Sequence, residues 1–157
     1  MLLRVRLKEL TPETALEQLK QATNVEGMLY VLRDVIEHFA LAVSRAEADD
    51  KVKAKAILHL GQIEDALSAL GEFFSAIIEL HPPSYTEERL YRSMKEYIAD
   101  LISIYADIRN GKPLDDVAVE LEFEVRTLRE AIRDYARLIG SDIKNLFKEP
   151  EEITIKL

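Results

Sequence analysis

Few side chains in this chain are of a type and spacing that could do chemistry. Two polar residues, His59 and Gln62, interrupt the apolar side of what reads as the central helix. Glu120 and Glu124, one helical turn apart, lean toward the buried side of a later helix. If those faces meet, His59, Glu120 and Glu124 could converge as a metal site, because helical bundles hold metals with inward carboxylates and histidines. The Glu-x-x-His pair of such sites is missing, however. A buried hydrogen bond or a partly wet edge accounts for the same residues, since polar groups in a core need partners whatever their role, and this is the reading we adopt. The second candidate is a basic row: Arg126, Arg129, Arg133, Arg137 and Lys144 fall within about 80° of one helical face. Such a row could bind phosphates. Glu122 stands four residues before Arg126 and Glu130 three before Arg133, and Glu96, Asp100 and Asp107 form an acidic strip on the preceding helix. Ion pairing along or between helices is the favoured use of these arginines.

The third candidate is the segment Arg33-Asp34-Val35-Ile36-Glu37-His38. An arginine, a polar residue, three further positions and a histidine resemble the short motif of the HEPN ribonucleases. The resemblance implies an all-helical, dimeric protein in which Arg33 and His38 share a cleft between subunits and cleave RNA without a metal. In such chemistry a histidine moves the proton of a ribose hydroxyl and an arginine steadies the charge developing on phosphate. Read from the helix alone, side chains five residues apart diverge by about 140°. That spacing favours Arg33 as a solvated charge and His38 at the border of the core, bonded to Asp34 one turn earlier.

Composition narrows the field. The 157 residues suffice for one domain with a substantial core. There is no cysteine, which excludes disulfides, thiolate metal sites and cysteine nucleophiles. The net charge of −8 opposes nucleic-acid binding except through a local basic patch. No apolar run approaches the roughly 20 residues needed to cross a bilayer, and the first residues lack the apolar stretch of a signal peptide. We therefore expect a cytoplasmic protein without membrane contact. Scarce Asn and Gln beside abundant Glu, Lys and Arg give a thermophile-like composition.

The elements that would position these residues are helices. Thr11-Pro12 opens a short one to about Ala22, and Asn24 caps a second reaching about Glu47. The stretch from Val52 to Leu80 is the expected centre post. Ile63, Leu67, Leu70, Phe74 and Ile77 form one apolar row, and Ala66, Ala69, Phe73, Ala76 and Leu80 a second. Together the rows cover roughly 220° of surface, which calls for two or more neighbours. Pro82-Pro83, after His81, stops this helix, and Ser84 or Thr86 caps a fourth that ends at Asn110-Gly111. The last helix runs from Leu114 to about Lys148, with Gly140-Ser141 as a possible break or bend. Residues 117–125 alternate as a strand would, but three glutamates and helical flanks favour helix. As a helix, that segment turns Val119 and Phe123 outward, toward a second subunit rather than water. The alternating ends, Leu2–Lys8 and Ile153–Leu157, suggest a two-stranded ribbon, marginal unless it lies on the bundle.

The expectation is an all-α antiparallel bundle of four to five helices, its ends paired as a ribbon. The function expected is non-catalytic: a cytoplasmic interaction or assembly protein, homodimeric or bound to another protein, with no cofactor. A HEPN-like ribonuclease using Arg33 and His38 is the alternative. Nucleic-acid binding through the Arg126–Lys144 row is a further one and is not favoured.

Overall fold

A computed structural model describes residues 9–80 and 86–155, with side chains in the last helix placed through Arg137 and at Gly140. Five helices follow one another: α1 (Pro12–Gln21), α2 (Val25–Arg45), α3 (Asp50–Leu80), α4 (Glu87–Arg109) and α5 (Leu114–Ile155). Their starts are written in short-range chemistry. Thr11 Oγ1 accepts from the Thr14 amide, Asn24 Oδ1 from the Gly27 amide and Thr86 Oγ1 from the Arg89 amide, each satisfying one donor that the first turn leaves without a partner. Asp49 Oδ1 accepts from the Lys51 amide at the head of α3. Gly111, at φ 92°, ends the α4 turn in a conformation that side-chain-bearing residues avoid. Ser84, His81 and Pro82-Pro83 lie outside the described residues, as does the first half of the suggested ribbon, Leu2–Lys8.

Helices α2, α3, α4 and α5 pack around a continuous apolar core, with α1 laid across α2 and α4. Four-residue connections join α2 to α3 and α4 to α5, so each pair reverses direction. Helix α3 touches α2, α4 and α5. Its first apolar row is fully buried: Ile63, Leu67, Leu70 and Phe74 have no exposed surface and Ile77 almost none. The second row is not a core row. Ala66 and Phe73 are half-buried, whereas Ala69, Ala76 and Leu80 face solvent. Three neighbours cover a narrower arc than the sequence pattern marks out, and an alanine methyl gains little from further burial.

Two other expectations change. Residues 117–125 are helical, as read, and α5 passes through Gly140-Ser141 uninterrupted and beyond Lys148 to Ile155. Ile153 and Ile155 therefore belong to a helix, not to a ribbon strand. Extending an existing helix needs no new nucleus, although Pro150 adds no hydrogen bond to it, whereas a new two-stranded pair must be nucleated and is marginal in water. No helix among the described residues is long and apolar enough to cross a membrane.

Two glycines in α3 separate local from tertiary effects. A Cβ at Gly61 would meet nothing within 4 Å, so Gly61→Ala is expected to stabilise the fold by about 0.5–1 kcal/mol through helix propensity alone. A Cβ at buried Gly71 would stand 2.9 Å from Val25 Cγ1 and 3.4 Å from Leu29 Cδ1 and Met94 Cε. Val25 is stiff, so the same propensity gain is outweighed and Gly71→Ala is expected to lose about 1 kcal/mol. Urea midpoints of the two variants, read against the parent, should move in opposite directions.

Candidate functional site

The outward face of α5 carries the most exposed large apolar side chains of that helix among the described residues. Val119 is 64% exposed and Phe123 67% exposed, one turn apart, while Val117, Leu121, Val125 and Leu128 on the inner face are buried. Alternation along the segment is thus a helix with two apolar faces, one of them facing solvent. Asp116 precedes this pair and Arg126 follows it, both exposed. Arg126 Nη2 donates to Glu122 Oε1 at 3.3 Å, the ion pair that the four-residue spacing suggests. Arg129, Arg133 and Arg137 are exposed and make no ion pair within 4 Å among the described residues. Of the acidic strip of α4, Asp107 pairs with Lys112 at 3.7 Å, and Asp100 lies near the carboxylates of Glu96 and Glu124. The side chain of Lys144 is outside the described set.

On the α4 side of α5, Glu120 and Glu124 have different surroundings. Glu120 Oε1 accepts from Lys112 Nζ at 2.9 Å, whereas its Oε2 is buried without a partner. Glu124 is 7% exposed, and its Oε1 is likewise unsatisfied. Burial first, and the neighbouring Asp100 carboxylate second, push the Glu124 carboxyl up to about 7. The Asp100 carboxyl is itself raised, by burial and by Glu96. On α3, His59 Nδ1 is 2.9 Å from Gln62 Oε1, and its Nε2 is buried without a partner. Each of the three candidate ligands thus keeps one unsatisfied buried atom. Among the described residues, however, no three histidine or acidic side chains are placed to hold a metal ion together.

On α2, His38 is partly buried, with Nδ1 2.8 Å from the Asp34 carbonyl oxygen and 3.3 Å from Asp34 Oδ1. It lines a cavity of about 200 Å³ together with Glu9, Arg45, Tyr105 and Arg109. Arg33 is exposed and does not line that cavity. The cations that accompany His38 are instead Arg45, two turns further along α2, and Arg109 from α4. Tyr105 forms the floor. Its hydroxyl donates to the Leu10 carbonyl at 2.6 Å, its ring lies 5.6 Å from that of Phe39, and the Arg109 guanidinium sits 5.8 Å from its centroid. The relation of His38 to Arg45 was open to sequence inspection, since residues seven apart share a helix face. That of Arg109 was not, because it depends on how α4 docks on α2.

A more open depression of about 810 Å³ separates α1 from α4, floored by Leu16, Leu19, Tyr91 and Ala99. Two of its cations are already engaged, Arg92 with Glu88 at 3.1 Å and Lys95 Nζ with the Lys20 carbonyl at 3.1 Å. Compared with known protein families, characterised proteins and solved structures, the chain has no significant match to any of them.

Proposed function

We propose that this chain is a non-catalytic, cytoplasmic assembly protein that pairs with a second copy of itself through the outward face of α5. The observation that carries the reading is the exposure of Val119 and Phe123 on one face of a helix whose opposite face is already buried. Isolated exposed apolar residues are common; a valine and a phenylalanine one turn apart on a rigid helix make a better seed for a contact. The flanking charges suit a copy of the same helix laid antiparallel about a twofold axis. At the level of Leu121, Val119 of one copy would meet Phe123 of the other, and Asp116 would face Arg126. Each side then supplies the patch that the other needs, as an isologous contact requires. A contact of this size is small, so roughly micromolar association is expected. A cytoplasmic setting would suit a fold that uses no disulfide.

Charge reversal tests the register. Arg126→Asp should weaken self-association, and combining it with Asp116→Arg should restore it, as measured by light scattering across a concentration series. Failure of the double variant to recover would remove the antiparallel pairing. The competing proposals are ribonuclease chemistry by Arg33 and His38, and phosphate binding by the Arg126–Lys144 row. The first needs both side chains at one cleft; the second needs salt-sensitive binding to nucleic acid.

A further inference from the structure

We infer that the cavity between α2 and α4, lined by His38, Arg45 and Arg109, binds a single phosphate group, as the free ion or as the end of a phosphomonoester. The inference is independent of self-association through α5.

The cavity gathers three nitrogen-bearing side chains from two helices, with one carboxylate at its edge. His38 is not free to rotate. Its Nδ1 is held by Asp34, which leaves Nε2 as the ring nitrogen available to the cavity, where it can accept from a P–OH or, when charged, donate to a phosphoryl oxygen. Arg45 is exposed and has no carboxylate within 4 Å among the described residues, so its guanidinium retains its full donor capacity. Arg109 is anchored from beneath by Tyr105, with Nη1 3.5 Å from the hydroxyl, and is met only loosely by Glu9 at 3.8 Å. Two planar guanidinium groups with unspent donors, beside an oriented imidazole, suit the several acceptor oxygens of a phosphate.

Size argues for one phosphate rather than a polynucleotide. About 200 Å³ is room for roughly six or seven waters at about 30 Å³ each, enough for a phosphate and a few attached atoms. The plainer account of Arg45 and Arg109 is that each, in the last turn of its helix, complements the helix dipole. That account explains neither the fixed histidine that lines the same cavity nor the space they share. Glu9, 66% exposed, is the counter-charge an incoming anion must displace.

The full chain should be titrated with inorganic phosphate and, separately, with phenyl phosphate, at constant ionic strength, following amide shifts and heat. The inference expects saturable one-to-one binding with shifts centred on His38 and Arg109. Arg45→Gln, at an exposed position, should weaken binding about tenfold, and Glu9→Gln should strengthen it a few-fold. Tighter binding of phenyl phosphate would assign the site to an organic monoester; tighter binding of inorganic phosphate would assign it to the free ion. Either result supports the inference. Absence of saturation by both probes, or affinity unchanged in Arg45→Gln, would overturn it.

Discussion

Replacing Phe74 with alanine is expected to destabilise the protein by about 3–5 kcal/mol, enough to remove much of the margin of a domain this size. Phe74 has no exposed surface and stands where α3 meets α5. Its ring meets Tyr135 edge to face, with centroids 5.0 Å apart and planes at 75°, a geometry that adds to the gain from burial. Truncation removes this pair and leaves a void that rigid helices close only in part. The neighbouring Phe73 supplies the contrast. It is half-buried, so Phe73→Ala should cost markedly less. Urea denaturation of the two variants checks the claim; similar losses would mean that the two rows of α3 contribute alike.

The second large effect concerns Glu124 and runs toward greater stability. An unfolded glutamate titrates near 4.5, whereas burial and Asp100 push Glu124 up to about 7 in the fold. Between these values the folded chain binds more protons than the unfolded one, so stability falls as pH rises from about 4.5 to about 7. A shift of this size corresponds to about 3 kcal/mol lost by pH 8. Glu124→Met removes the charge and keeps a flexible side chain of similar length. It is expected to leave stability little changed at pH 4.5 and to raise it by about 2–3 kcal/mol at pH 8. Thermal melts of parent and variant at the two values decide it. A variant no more stable than the parent at pH 8 would mean that Glu124 has a compensating partner there.

What the sequence disclosed was local. The caps at Thr11 and Asn24, the stop at Asn110-Gly111 and the first row of α3 depend on residues within a turn or two, and each stands in the fold as read; of Ser84 and Thr86, both open as the fourth cap, Thr86 is the one that caps. The 117–125 segment was ambiguous because a helix apolar on two faces alternates like a strand; its glutamates and flanks decided for helix. The second row of α3 misled because alanine enters an apolar pattern without demanding cover. Ile153 and Ile155 misled because alternation over so few residues cannot outweigh a helix already running into them. Long-range relations were illegible. The Tyr105 hydroxyl reaching Leu10 crosses 95 positions, and Arg109 beside His38 follows from how α4 docks on α2. Glu124 leaned inward in the sequence reading, but its neighbour Asp100 emerges only from the packing of α5 on α4.

The central claim is that Val119 and Phe123 are covered by a second copy of the chain. Sedimentation equilibrium of the parent and of Phe123→Glu, an exposed change that leaves the core intact, tests it most directly. The account predicts a parent mass of twice 18.0 kDa at concentrations above roughly ten micromolar, and a monomeric variant with unchanged helicity. A parent that remains at 18.0 kDa across that range, or a variant that dimerises equally well, would contradict it.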